Sequence, residues 1–392
     1  MTTQDAQVAI NDLLRQARSR RGVVKLLGGT ALGAALTRLG LGDAAAACQK
    51  AGAKCDKKRR CCKGTKCKRG KCACPRGKQS CRGVCRNLKT DQNNCGKCGL
   101  QCRPDFVCVS GFCVRAFGTP GGENGQFNNP QGVAIDQGGR VWVADTLANR
   151  LQLFSQDGEF IRLFGQFGTG DGELDNPADL ALASNNDLYV ADRGNHRIQM
   201  FDDFGGFIQF WGGFGSGAGR FNGPRGIDHA GNTVVVADTG NHRIQRFSAT
   251  GFFVEQFGRR GAGEGQFESP QGVALDASRN ILVADTGNNR VQVFSPDGDF
   301  IRTFGQGKLS EPAGVAIDPN GNVLVADTRN DRIQEFSANG VFQRTIGVPG
   351  TGIGQLDKPV GLAVSNGGVL NVVDSGNNRI QQFNLGRQDA KP

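Results

Sequence analysis

From residue 114 onward, short apolar runs alternate with polar, glycine-rich turns, and the alternation itself recurs. Each copy opens with a glycine-rich approach such as Gly121-Gly122-Glu123-Asn124-Gly125-Gln126-Phe127. A proline then begins a strand of small residues, Pro130-Gln131-Gly132-Val133-Ala134. An apolar strand ending in aspartate follows, Val141-Trp142-Val143-Ala144-Asp145, and a polar turn leads into Arg150-Leu151-Gln152-Leu153-Phe154. A last strand ends in Phe-Gly, as at Phe164-Gly165. Six copies are marked by Pro130, Pro177, Pro224, Pro270, Pro312 and Pro359, spaced 47, 47, 46, 42 and 47 residues apart. Four short strands per copy at that spacing predict an all-β propeller of six blades.

The strand count also predicts how the ring closes. After the third strand of the sixth copy, ending at Phe383, no fourth strand follows. A strand of the missing kind precedes the first proline, Val114-Arg115-Ala116-Phe117-Gly118. Placed beside the sixth copy, it completes that blade and leaves no open sheet edge.

The repeated P-x-G-V-A-x-D, V-A-D-T-x-N-x-R-I-Q-x-F and G-x-F elements resemble the NHL repeat, over about 272 of the 392 residues. The resemblance implies a six-bladed propeller that binds proteins or RNA. It also admits a metal-dependent lyase or hydrolase, a chemistry found in a minority of related propellers.

Charge and cysteine divide the chain. Residues 1–113 carry a net charge of +18 and residues 114–392 a net of −7, and all fourteen cysteines fall between Cys48 and Cys113. The expected organisation is an export signal over 1–47, cysteine-rich segments over 48–73 and 74–113, the propeller over 114–386 and a tail over 387–392. Ser19-Arg20-Arg21-Gly22-Val23-Val24-Lys25 resembles the twin-arginine export pattern, with Arg20 and Arg21 as the signal pair. The mild apolar stretch from Leu26 to Leu36 is too short to span a bilayer, so no transmembrane anchor is expected in the mature chain. The implied location is outside a prokaryotic cytoplasm: periplasm, cell surface or medium.

Between Cys48 and Gly83 there is no Val, Ile, Leu, Met or aromatic residue, so this segment cannot fold by burial and needs cross-links. Cys48, Cys55, Cys61, Cys62, Cys67 and Cys72 resemble a knottin, which implies the pairs Cys48–Cys62, Cys55–Cys67 and Cys61–Cys72. Spacing alone permits fifteen connectivities. Cys74, Cys81, Cys85, Cys95, Cys98, Cys102, Cys108 and Cys113 include a stretch resembling the stigma-specific cysteine-rich repeat, and their pairing stays open. Cys95-x-x-Cys98 is also a zinc-ligand spacing. The lack of histidine in this segment, the signal-like start and the adjacent Cys61-Cys62 favour disulfides, and no metal or cofactor is expected.

Residues 48–113 hold eighteen Lys and Arg against three Asp and Glu. Lys57, Lys58, Arg59, Arg60, Lys63, Lys66, Lys68, Arg69 and Lys71 form the densest run, suited to an anionic envelope polymer or lipid head groups. The run has no interleaved aromatic residue for stacking on bases, so specific nucleic-acid recognition is not expected.

Within the propeller, residues common to all blades are scaffold, and the departures are the candidates for function. Asp179 stands where the other blades have glycine, and blade three reads Pro224-Arg225-Gly226-Ile227-Asp228-His229-Ala230, one residue short. Arg193 and Arg329 are basic where other blades carry Gly or Leu in the turn. Asp179, Arg193, Arg225, Asp228 and His229 are therefore expected at one sector of the channel mouth. With three histidines in the chain and no nucleophile motif, the sequence favours a non-enzymatic binding protein with a protein or glycan partner. A metal-dependent lyase or hydrolase and a knottin-type inhibitor or toxin on a propeller scaffold are the alternatives. Replacing Arg20 and Arg21 by lysine is expected to block export, followed by fractionation; undiminished export contradicts the twin-arginine reading.

Overall fold

The computed structural model describes residues 48, 49, 53, 54, 60, 61, 66–69, 71–81 and 84–386, with backbone alone at 48, 49, 60 and 61. The chain divides into two compact units, residues 1–88 and 89–392. In the first, Lys66–Lys68 pairs with Lys71–Ala73 and Gln79–Cys81 with Val84–Arg86, both antiparallel. A disulfide joins Cys74 to Cys85.

The second unit is the six-bladed propeller. Five sheets have four antiparallel strands in sequence order. In blade one these are Gly132–Ile135, Val141–Asp145, Arg150–Phe154 and Phe160–Phe164, from the channel outward. The sixth sheet contains Pro359–Val364, Val369–Asp374 and Arg379–Asn384, then Phe112–Phe117 and Val107–Val109. Phe112–Phe117 pairs antiparallel with Arg379–Asn384, Val114 opposite Phe383, so the N-terminal strand completes blade six as expected. The fifth strand, Val107–Val109, was not expected. It folds back through Ser110-Gly111, both at positive φ, which suits the right-handed twist of a two-residue hairpin. Disulfides Cys95–Cys108 and Cys102–Cys113 tie this hairpin, and residues 89–113 belong to the same compact unit as the propeller. Among the described residues no helix is long and apolar enough to cross a membrane.

Third-strand phenylalanines form the aromatic core. Phe154, Phe201, Phe247, Phe294, Phe336 and Phe383 are all buried, and each such side chain contributes about 1.5–3 kcal/mol of burial free energy. Phe154 touches Phe117 of blade six at 5.0 Å between ring centroids, so the closing strand also packs against blade one.

Two polar devices repeat around the ring. The first is a clamp within each blade. Asp145, Asp192, Asp238, Asp285, Asp327 and Asp374 are fully buried at the ends of the second strands. In every blade Oδ2 accepts from the Nε of the arginine five residues on, at 2.7–2.8 Å. It also accepts from the amide of the glutamine seven on. Oδ1 takes a backbone N–H of the approach loop, as from Asn128 and Glu268. Burial raises the pKa of Asp145 and Asp192, while these donors pull it down.

The second device joins neighbouring blades. Asn149, His196, His242, Asn289, Asp331 and Asn378 all adopt left-handed backbone, φ between 50° and 55°, where Asn, Asp and His are tolerated better than most side chains. Each side chain accepts a backbone N–H of the following blade, Asn149 from Asn176 and Asn378 from Asn129 across the closure. His196 and His242 do the same through Nδ1, to Gly223 and Ser269. These two histidines are structural links, a role that sequence periodicity alone did not show.

Asp238→Ala leaves the buried Arg243 guanidinium without its counter-charge and takes one acceptor from Gln245, and is expected to cost about 3–5 kcal/mol. Urea unfolding measures it; a loss below about 1 kcal/mol contradicts the clamp.

Candidate functional site

Each blade's proline sits at or just before the start of its inner strand, and these strands line the central channel, so the prolines define one face. A ring of glycines narrows the passage just inside it. A Cβ on Gly226 would overlap the Gln271 carbonyl, and one on Gly314 would overlap that of Val360. Backbones therefore meet across the blades, and only glycine fits at these places. Asp179 occupies the equivalent place in blade two.

Outside this ring lies a small cavity of about 40 Å³, lined among others by Gln131, Asp179, Arg225 and Gln271. Inside it lies a larger cavity of about 270 Å³, lined at one level by Ala134, Ala181, Asp228, Ala274, Ala316 and Ala363. Asp228 is thus a carboxylate in a circle of alanines. Asp179 borders both cavities. Its Oδ2 accepts the Ile227 N–H at 3.3 Å, and burial pushes its pKa up to about 7, with the Asp228 charge adding to the effect. Asp228 accepts the N–H of His229 at 2.8 Å and of Leu275 at 2.7 Å, and burial pushes it up to about 6.

Arg225 reaches from blade three over the mouth to blade one, where Nη1 donates to Gln131 Oε1 at 3.3 Å. Burial, then the charge of Arg193, pulls it down to about 10, so it stays a cation at neutral pH. Four of the five expected residues thus gather at this sector, and His229 does not. Neighbouring positions on a strand point to opposite sides, so placing Asp228 in the cavity sends His229 the other way. Its ring stacks on Tyr189 at 5.2 Å, and burial lowers its pKa.

The register expected for Arg193 needs correction. Aligned on the clamp, Arg193 replaces not Gly or Leu but the threonine of Thr146, Thr239, Thr286 and Thr328. Those hydroxyls donate to the proline carbonyl of the next blade, as Thr146 to Pro177 at 2.8 Å and Thr239 to Pro270 at 2.7 Å. Blade two therefore has no hydroxyl for this link. Arg329 does take the Gly or Leu place, and pairs with Glu311 at 2.7 Å.

Sequence reasoning missed the apolar surface beside this mouth. Phe167 and Phe214 are 70% and 71% exposed in proline-face loops, and Leu147 is half exposed in the adjoining turn. The loops are not loose: Asn195 donates to the Gly168 carbonyl and Asn241 to that of Gly215. Phe214 also packs against the His196 ring. The signal was a phenylalanine followed by glycine, where blades one, four and six approach with Pro120, Arg260 and Pro349.

In the cysteine-rich region Cys74, Cys81, Cys85, Cys95, Cys98, Cys102, Cys108 and Cys113 are all disulfide-bonded. The sulfurs of Cys95, Cys102 and Cys113 lie within 4.8 Å of one another, close enough for a shared metal, but each is held in a disulfide. Cys67 and Cys72 are disulfide-bonded too, while the side chains of Cys48, Cys55, Cys61 and Cys62 lie outside the described residues. So do Arg20, Arg21, Lys57, Lys58, Arg59 and Lys63, together with the side chain of Arg60. Lys66, Lys68, Arg69 and Lys71 are exposed on and beside one hairpin.

This geometry belongs to a repeat propeller with a channel-mouth site. The NHL repeat matches residues 127–154, 174–201, 221–247, 267–294, 309–336 and 356–383, so the chain carries six NHL repeats. Protein lin-41 of Caenorhabditis elegans is 45% identical over 47 residues, which are 12% of this chain and 4% of that protein. The chain thus matches a small fraction of that relative's length. A streptogramin B lyase structure superposes with TM-score 0.51 at 15% identity, covering 70% of this chain and 98% of that one. A gluconolactonase from Xanthomonas campestris superposes with TM-score 0.53 at 15% identity, covering 70% and 90%. At such identities the likeness is one of fold.

Asp179 holds its proton more tightly folded, at about 7, than unfolded at 3.8, so its contribution to stability is present below pH 4 and lost as pH rises through 7. Asp179→Asn stays neutral throughout. Its melting temperature is therefore expected to gain on the wild type steadily from pH 4 to pH 8, and a constant difference contradicts this assignment.

Proposed function

We propose that this chain is an exported, non-enzymatic binding and scaffold protein. The propeller takes a protein or glycan partner on its proline face, and the basic cysteine-rich region holds the chain on an anionic envelope polymer or lipid surface. The observation that carries this reading is the group Leu147, Phe167 and Phe214, exposed on loops pinned by hydrogen bonds beside Arg193 and Arg225. Rigid aromatic anchors next to arginine are the residue types that dominate binding energy at interfaces. Exposed Lys66, Lys68, Arg69 and Lys71 support the anionic-surface role, and any such attraction weakens with salt. Export rests on the twin-arginine-like segment and is supported by the bonded cysteines, which suit an oxidising compartment.

A metal-dependent lyase or hydrolase is the second reading, favoured by the two carboxylates facing the channel. The donor set fits such a metal poorly. Asp179 and Asp228 supply two carboxylates, both already accepting backbone N–H groups, and His229 is turned away to Tyr189.

Comparing the wild-type chain with a Phe167→Ser/Phe214→Ser variant in capture from envelope fractions tests the binding reading. Both side chains are exposed, so the variant is expected to melt at the wild-type temperature yet retain partner at least about tenfold less well, the worth of roughly 1.4 kcal/mol. Equal capture by the two proteins contradicts the proline face as the binding surface.

A further inference from the structure

On the face opposite the prolines, blades three and four enclose a groove of about 370 Å³ that the channel-mouth reading does not use. Two departures from the repeat create it. In blade three the inner strands Ile227–Ala230 and Thr233–Asp238 are joined by Gly231-Asn232 alone, with Gly231 at φ 65°. Blades one, four and five instead have longer turns built on Asp136, Asp276 and Asp318, each accepting N–H groups from its own turn. The short hairpin of blade three leaves the space that such a turn would fill.

The second departure faces that space from blade four. Arg279 has left-handed backbone, φ 64°, at a place held by Gly139, Asn186, Gly321 and Gly368 in the other long turns. An arginine there is strained, and such strain concentrates at ligand clamps. Its guanidinium passes over the short hairpin: a Cβ on Gly231 would lie 3.2 Å from Arg279 Nη2. Among the described residues this guanidinium has no ion-pair or hydrogen-bond partner.

The rest of the lining defines the ligand. Arg246 lies deep in the groove, 3.1 Å from Glu255 and 3.8 Å from Asp297. Asn232, Thr233, Ser248 and Asp297 supply polar edges, and Val254, Leu275, Ile281 and Pro296 an apolar wall. The volume is at the lower end for small-molecule sites. An unpaired guanidinium fits a carboxylate bidentately, Asp297 and the amide or hydroxyl groups suit several sugar hydroxyls, and the wall suits C–H faces.

We propose that this groove binds a sugar acid, a hexuronate of one or two rings, with its carboxylate on Arg279 and its hydroxyls toward Asp297 and Asn232. The sugar acid is either free or the end of an acidic polysaccharide. The site is separate from the proline face, so its failure leaves the binding reading above untouched.

Calorimetric titration of the full chain with glucuronate, galacturonate and neutral glucose tests the proposal, alongside Arg279→Gly. Glycine is the residue at this place in blades one, five and six, so this variant is expected to fold, as a thermal melt checks. If it melts lower, Arg279→Asn, the residue type at Asn186, replaces it. The expected result is saturable uronate binding that is weakened at least about tenfold by the variant, with none for glucose. Absence of saturable uronate binding, or equal affinity in the variant, overturns the proposal. A short oligogalacturonide binding tighter than the monomer identifies a polysaccharide end, and equal binding identifies a free sugar acid; both support the site.

Discussion

The ring depends on a buried aspartate in each blade that collects an arginine, a glutamine and a backbone N–H on one carboxylate. Burying a charge is costly unless it is paired and hydrogen-bonded, so none of these partners is dispensable. Their geometry fixes more than the carboxylate. In blade one the clamp arginine goes on to the carbonyls of Gly122, Glu123 and Gln126, so the approach loop is held to the second and third strands. The loop then delivers the proline and the glycine that start the next inner strand. Six repetitions set the positions of the inner strands, and at the narrowest point of the channel five of the six blades place glycine, blade two placing Asp179.

Because the scaffold is so tightly prescribed, single departures have local chemical consequences. One carboxylate among the glycines and one among the alanines give a channel whose charge changes near neutral pH. An arginine in a threonine place removes a hydroxyl link between blades two and three and puts a second cation beside Arg225. A shortened hairpin and an arginine in left-handed backbone make a groove on the opposite face. These changes cluster in blades two to four, as do Phe167, at the approach to blade two, and Phe214, at the approach to blade three. Blade six carries the closure.

The fold was legible because strand periodicity, prolines and the Asp-to-Arg spacing are local patterns that repeat. The closing strand could be placed by counting, since one blade lacked a strand and one strand lacked a blade. What escaped were features that exist only between segments. The acceptor role of His196 and His242 needs the next blade's N–H, which no local pattern reveals. Arg193 lies one place before the Gly or Leu position, because the turn's composition alone does not fix an offset from the clamp aspartate. His229 was expected with Asp228, although strand alternation separates them. The missing residue in blade three was visible, but the groove it opens depends on Arg279 of the following blade. Pairing of Cys95 with Cys108 and of Cys102 with Cys113 depended on a hairpin that the apolar pattern signals weakly.

Hydrogen–deuterium exchange on the intact protein tests the central claim, that six clamped blades form a ring closed by the segment before the first repeat. The strand Val114 to Phe117 pairs with Arg379–Asn384, and its amides that face that strand are predicted to exchange as slowly as the paired amides of the fourth strands in the other blades. Fast exchange there, like that of a free chain end, with the other blades protected, would contradict the closed ring.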